Sequence, residues 1–139
     1  MKSRGEREMP YITVVINDLE DLMMKAPKDI EEAVCRLAEL GKNVGINLVV
    51  CTRSVANDVL TEWMKTSIQA RIVFRLKNEA ESIAVLDIVG AEGLNGRGDM
   101  LFLSDKGASV IRLQAALLGW DSMDNIIQHY IDEKSENDC

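Results

Sequence analysis

The residues best suited to chemistry in this chain of 139 are Asn17-Asp18-Leu19-Glu20-Asp21. They follow directly on the β-branched run Ile12 to Ile16, and α/β folds place ligands at the carboxyl ends of parallel strands. A carboxylate at that point can hold Mg²⁺ or orient a water for attack on a phosphate. Acids are also ordinary turn residues, so Asp18 and Asp21 equally suit a loop or a helix cap. Other constellations are weaker. His129, the only histidine, offers no metal-ligand pattern, and no Ser-His-Asp or Cys-His arrangement can be built from it. Cys35, Cys51 and Cys139 form no CxxC pair, so they read as free thiols, the first two buried. Arg97-Gly98-Asp99 spells an adhesion tripeptide but reads as a turn entering a strand. The pattern GxxxxGK[ST] occurs nowhere; Gly41 to Gly45 and Gly90 to Gly98 lack its order. The sequence therefore supplies neither a backbone N–H cradle for phosphates nor the lysine that accompanies it.

The elements that must position these residues alternate. Ile12 to Ile16 is apolar on both faces, as a central strand of a parallel sheet would be. Asp29 to Asn43 carries Ile30, Ala33, Val34, Leu37, Ala38 and Leu40 at helical spacing, with acids in its first turn. Ile46 to Cys51 reads as a second strand, and Asn57-Asp58 as the cap of a helix bearing Val59, Leu60, Trp63 and Met64. Ala70 to Leu76 is a third strand, followed by a short helix that Asn78 and Glu81 would open as a capping box and that stops near Gly90. Met100 to Leu103 and Ser109 to Leu113 suit a hairpin about Ser104 to Gly107. Asp121 or Ser122 then caps a helix through Met123, Ile126, Ile127, Tyr130 and Ile131. Trp63 and Trp120 are expected as core or interface anchors, and Met23 and Met24 as packing beneath the following helix. The fold class that follows is α/β: a mainly parallel sheet flanked by helices, with a C-terminal antiparallel hairpin and a terminal helix.

Several of these segments, in one register, resemble the FtsK/SpoIIIE family of DNA-translocating ATPases. Pro10-Tyr11-Ile12-Thr13-Val14-Val15-Ile16-Asn17-Asp18-Leu19-Glu20-Asp21-Leu22-Met23-Met24 is similar to the family's Walker B region, roughly PYIVVVIDEFADLMM. Gly45 to Thr52 resembles its GIHLVLAT strand, Ala70 to Phe74 its TRIAF strand, and Gly90 to Leu101 its GAExLLGxGDML segment. The likeness spans about residues 9 to 131 and implies a partial RecA-like P-loop NTPase core, from Walker B onward. It implies nucleotide- and Mg²⁺-proximal roles for Asn17, Asp18, Thr52 and Arg53, with Asp18 at the catalytic Walker B Glu position. Framework roles are implied for Gly90, Ala91, Glu92, Gly96, Gly98 and Asp99, and no resident metal is assigned. The departures fall on chemistry. Asn17 stands for the family's Mg²⁺-supporting Asp, Asp18 is one methylene shorter than Glu, Arg53 replaces the Gln that senses the γ-phosphate, and Ile83 replaces the Arg of DSRT. A water held for in-line attack tolerates misplacement by about 1 Å poorly.

The implied function is a motor segment for ATP-driven translocation of double-stranded DNA. Mg²⁺ and ATP are the cofactors by resemblance only, and the chain alone is expected not to hydrolyse ATP. Whether it is an enzyme stays open, as does whether it is free-standing or part of a longer protein. A receiver-like Mg²⁺-dependent or phosphate-binding module around Asp18, Glu20 and Asp21 is the alternative. Composition sets further bounds. With 47% apolar and 28% charged residues the chain is globular, and its length suits one domain. Residues 1–9 are expected as a flexible N-terminus, 10–131 as the RecA-like domain, and 132–139 as an acidic disordered tail. A net charge of −7 argues against DNA binding by the isolated chain. DNA is therefore expected only within a larger assembly, and the partners expected are a homo-oligomer or a motor subunit. No secretory signal or membrane segment is read, so a cytoplasmic location is expected.

Overall fold

Two small sheets, one parallel and one antiparallel, carry the chain's helices. The computed structural model describes residues 10–104, 109–116 and 118–137, with side chains to residue 133. Strands β1 (Ile12–Ile16) and β2 (Ile46–Val50) pair in parallel, Ile12 opposite Ile46 and Ile16 opposite Val50. The ladder runs one step past the strands: Cys51 N–H donates to the Ile16 carbonyl at 2.8 Å, and Leu19 N–H to the Cys51 carbonyl at 3.0 Å. Those two bonds fasten both strand exits together, which is where the candidate site lies.

The crossover between β1 and β2 is helical. Helix α1 spans Leu19–Lys25 and α2 spans Pro27–Leu40. They break at Ala26, whose φ of −150° is non-helical, because the proline ring disfavours the α conformation in the residue before it. Proline is suited to the first helical turn, so α2 starts at Pro27, two residues earlier than its periodicity predicts. Its end is a 3₁₀ turn, Gly41–Val44. Leu19, Met23, Val34, Cys35, Val59 and Met64 form the first core, with Ile16, Leu48 and Val50 packed against it. Met24 faces outward, unlike Met23, and Cys51 is exposed, unlike Cys35. Both observations correct the sequence reading: a helix of seven residues buries one face, and Cys51 lies beyond the end of β2.

Helix α3 is shorter than expected, Glu62–Ser67, and its cap is Thr61, whose Oγ1 accepts the Met64 N–H at 3.3 Å. Asn57 and Asp58 form a turn instead, in which the Ala56 carbonyl accepts from both Val59 and Leu60, at 2.9 and 2.8 Å. That turn buries Val59 and sets Leu60 between the two cores.

Strand β3 (Arg71–Phe74) pairs with β4 (Asp99–Leu103), and β4 with β5 (Val110–Gln114), all antiparallel. The parallel part is thus confined to β1 and β2, and the third strand belongs to the antiparallel sheet. The α/β class stands, with less parallel sheet than expected. Among the described residues β1 has β2 as its one strand neighbour, and Ile12 and Val15 are exposed, so within these residues it lies at an edge where a central strand was expected. Helix α4 (Glu79–Leu86) follows β3. Asn78 Oδ1 caps it through Glu81 N–H at 2.9 Å, while Glu81 Oε2 reaches back to Lys77 N–H at 3.0 Å rather than to Asn78. Val73, Val85, Leu86, Ala91, Leu94 and Leu101 make the second core.

Among the described residues nothing covers the other face of this sheet. Ile72, Phe102 and Ile111 form one row across it and Phe74, Met100 and Leu113 the next, all apolar and all exposed or half-buried. Helix α5 spans Trp120–Asn137, so residues 132–137 are helical where an acidic disordered tail was expected. Its start precedes the predicted Asp121 or Ser122 cap, and Trp120 is exposed rather than an anchor in this chain's core. The hairpin turn and Cys139 lie outside the described residues.

Candidate nucleotide-site remnant at the carboxyl ends of β1 and β2

Asn17 and Asp18 leave β1 as Cys51, Thr52 and Arg53 leave β2, and the extended ladder holds the two exits side by side. Asp18 has φ 52° and ψ 58°, a left-handed conformation that Asp and Asn tolerate better than most residues. Although it precedes α1, its side chain caps no N–H there. Its carboxylate accepts instead from Asn17 Nδ2 at 3.1 Å and pairs with an Arg53 guanidinium nitrogen at 3.2 Å.

Glu20, in the first turn of α1, is the keystone. One oxygen accepts the Thr52 hydroxyl at 2.7 Å; the other faces Arg53 Nε at 3.3 Å and the Arg53 backbone N–H at 3.4 Å. The Thr52 hydroxyl oxygen in turn accepts Ser54 N–H at 3.1 Å, which shapes the turn after β2. The Thr52 hydroxyl is the main reason the Glu20 carboxyl lies below the usual carboxylate range; backbone N–H donors and the Arg53 charge add to it, against some desolvation. Beyond Arg53 lies an open depression of about 670 Å³, bounded across from it by Lys77, Asn78 and Glu81.

Of the sequence-predicted residues, Asn17, Asp18, Thr52 and Arg53 come together here, and Glu20 joins them. Asp21 is exposed on α1, and its backbone N–H donates to the Asp18 carbonyl at 3.0 Å. Arg53 is the counter-charge to both Asp18 and Glu20, and no group of three or more His, Cys, Asp or Glu among the described residues is placed to hold a metal. As placed, these side chains do not fit Mg²⁺: the guanidinium stands where a cation would have to meet the two carboxylates.

Gly90, Ala91, Glu92, Gly96, Gly98 and Asp99 lie apart, entering the antiparallel sheet. Glu92 Oε2 accepts Gly90 N–H at 2.9 Å. Buried Ser82 donates to the Ile88 carbonyl at 2.8 Å and accepts Ala91 N–H at 3.1 Å. Asp99, 5% exposed, takes Arg112 in a two-pronged pair at 2.9 and 2.6 Å and accepts Asn95 N–H at 2.7 Å. The Arg112 hydrogen bonds, then the Asn95 N–H, hold its carboxyl at about 2. Because Asp99 is buried and paired, the Arg97-Gly98-Asp99 tripeptide is a strand entry. His129 pairs along α5 with Glu133 at 3.9 Å. A residue the sequence reading passed over is Arg71. It donates to the Ile68 carbonyl at 3.3 Å, to Val85 at 2.6 Å and to Lys65, and so ties the ends of α3 and α4 to the sheet. An arginine opening an otherwise apolar strand, in register with inward Val73, is the signal that pointed to it.

Residues 1–57 match the model of the FtsK/SpoIIIE family. The DNA translocase SpoIIIE of Bacillus subtilis is 39% identical over 127 residues, 91% of this chain. The chain belongs to the FtsK/SpoIIIE family. A second Bacillus subtilis relative in it, the DNA translocase SftA, is 40% identical over 125 residues, 90% of this chain. The chain spans 16% of the length of SpoIIIE and 13% of SftA. The conjugation coupling protein TcpA of pCW3, solved with ATPγS, superposes with a TM-score of 0.75 at 31% identity, over 86% of this chain and 36% of that one. The cytoplasmic domain of the type VII secretion ATPase EccC of Thermomonospora curvata shares the fold, with a TM-score of 0.70 at 24% identity, over 78% of this chain and 12% of that one. This FtsK/SpoIIIE-family chain is therefore a segment with the RecA-like ATPase fold, and no helix among its described residues is long and apolar enough to cross a membrane.

Proposed function

We propose that this chain is a motor segment of an FtsK/SpoIIIE-type DNA translocase that does not turn over ATP by itself. The observation that carries the reading is the place of Arg53, bound to both Asp18 and Glu20 at the carboxyl ends of β1 and β2. In this role Asn17 and Asp18 stand at the Walker B positions and Thr52 and Arg53 at the sensor positions. The phosphate-binding loop, absent from these 139 residues, comes from elsewhere in the assembly, whether a homo-oligomer or another motor subunit. Mg²⁺, ATP and double-stranded DNA are then ligands of that assembly, in the cytoplasm, and the net charge of −7 fits a segment that does not grip DNA alone. What Glu20 and Thr52 do is structural: they hold the turn after β2 against the start of α1.

Phosphate release from ATP by the purified chain, with and without linear double-stranded DNA, tests this. No turnover above buffer is expected in either condition. DNA-stimulated turnover that follows the protein through every purification step and vanishes in Asp18→Ala would overturn it.

A further inference from the structure

Asn95 is the one asparagine of the chain that a glycine follows. The pair lies between the 3₁₀ turn Ala91–Gly93 and strand β4. Asparagine is a thermolabile residue, because its side-chain carbonyl can be attacked by the backbone nitrogen of the next residue. Here both groups are unhindered. Asn95 is exposed, and among the described residues neither its side-chain amide nor the Gly96 N–H has a hydrogen-bond partner. Gly96 has no side chain to shield its nitrogen, and the space around the position a Cβ would take is empty to 4 Å.

The other asparagines of the described fold are held or crowded. Asn17 Nδ2 donates to Asp18 at 3.1 Å, and Asn78 Oδ1 accepts Glu81 N–H at 2.9 Å. Asn47 lies within β2 and Asn125 within α5, where closing a ring would pull the backbone out of its strand or helix. Asn43 and Asn57 are followed by Val and Asp, whose side chains stand beside the nitrogen.

We propose that Asn95 is a site of spontaneous deamidation that ages the entry to β4. The Gly96 nitrogen gives its proton to water or hydroxide and attacks Asn95 Cγ. The new C–N bond closes a five-membered succinimide as the Cγ–Nδ2 bond breaks and ammonia leaves. Water then opens the ring: attack at Cγ leaves an ordinary aspartate, and attack at the backbone carbonyl leaves isoaspartate, with the main chain running through Cβ and Cγ. One water is consumed and one ammonia released, with no oxidant and no enzyme.

The position gives the reaction a structural consequence. Asn95 N–H donates to Asp99 Oδ2 at 2.7 Å and the Gly96 carbonyl accepts Asp99 N–H at 3.1 Å, so Asp99 grips the chain on both sides of the reacting bond. Isoaspartate inserts a methylene between those two grips. Either product also adds a carboxylate close to the one that Arg112 already pairs.

Incubation of the full chain at physiological temperature and mildly alkaline pH, followed by tryptic mapping, reads the result. The peptide 78–97 is expected to gain the mass difference between an amide and an acid and to split into two chromatographic forms, one of them a substrate for an isoaspartate methyltransferase. Gly96→Ala is expected to slow the conversion on the order of tenfold, an added barrier of about 1.4 kcal/mol, because its methyl crowds the attacking nitrogen. Asn95→Gln, whose ring would have six members, should show no conversion over the same period. The isoaspartyl fraction should melt below Asn95→Asp, which adds the charge alone. A native chain that stays unmodified while its guanidinium-unfolded form converts overturns the proposal, since the fold then protects the bond. Earlier conversion at another asparagine, or equal rates in wild type and Gly96→Ala, overturns it as well. Equal melting of the isoaspartyl fraction and Asn95→Asp would overturn the effect on the strand entry.

Discussion

Alanine at Gly98 separates two costs that a motif glycine can carry. Gly98 has φ +91°, where an L side chain is strained by about 1–3 kcal/mol. A Cβ there would also stand 2.6 Å from the Ala115 carbonyl oxygen, which is backbone and cannot swing away. Relief requires the strand entry to shift, and the bond from Ala115 N–H to the Gly98 carbonyl, 2.7 Å, is the first to suffer, at about 0.5–1.5 kcal/mol. The total is about 2–4 kcal/mol. With about 2.1 cal/mol/K per residue, 139 residues convert this to a fall in Tm of about 7–14 °C. Gly96 is the internal comparison: its φ is +76°, but a Cβ there meets nothing within 4 Å. Gly96→Ala is expected to cost about 1–2 kcal/mol from conformation alone. Gly93, in open space without a positive φ, should change stability by less than about 0.5 kcal/mol. Thermal unfolding followed by circular dichroism ranks the three. Equal losses at Gly98 and Gly96 would refute the steric part of the reasoning, and a loss at Gly93 as large as either would refute the whole.

Further outcomes follow from the same geometry. The Asp99 carboxyl is at about 2 in the fold, below its ordinary value, so its stabilisation is complete above the unfolded-state value and disappears as pH falls towards 2. Asp99→Asn should therefore flatten the loss of stability between about pH 4 and 2 seen in acid titration of the wild type, and an unchanged acid limb would count against the pair with Arg112. Arg71→Met leaves the Val85 and Lys65 carbonyls without their donor and should cost about 2–4 kcal/mol in urea unfolding; Arg71→Lys should recover only part, since one ammonium cannot span both helix ends. Thr52→Val should raise the Glu20 pKa more than Arg53→Gln does, because the hydroxyl bond is its main cause; carboxyl titration by NMR would show the reverse order if Arg53 dominated.

Local patterns with a single physical owner were legible in the sequence. Strand β1 begins and ends where its β-branched run does, and the Asn78 cap of α4 is where its side chain type places it. What escaped depended on tertiary choice. Asn57-Asp58 is as good a cap as Thr61, and the burial of Val59 decided for the turn and the later start. The sheet to which β3 belongs is not encoded in its own four residues, because an apolar strand suits a parallel or an antiparallel neighbour. At the site, the resemblance singled out Asn17, Asp18, Thr52 and Arg53 and the alternative reading included Glu20, but the bonds by which Glu20 joins Thr52 and Arg53 depend on the pairing of two strand exits and are not visible in the sequence. Burial of the cysteines and methionines failed for a related reason: a short helix or a strand exit exposes whichever neighbour falls on the wrong side.

The strand-exit site and the uncovered apolar face lie on different sheets over different cores, with Leu60 packed against both. That separation has a chemical consequence. Asp18, Glu20 and Arg53 belong to the exits of β1 and β2, while the outward residues belong to the antiparallel sheet of β3, β4 and β5. Substitutions of the polar residues at the exits of β1 and β2 are therefore expected to leave the outward sheet face unaltered. The two regions respond independently: Phe74→Asp, on the outward sheet face, should leave the Glu20 titration where it is, whereas Thr52→Val should move it upward.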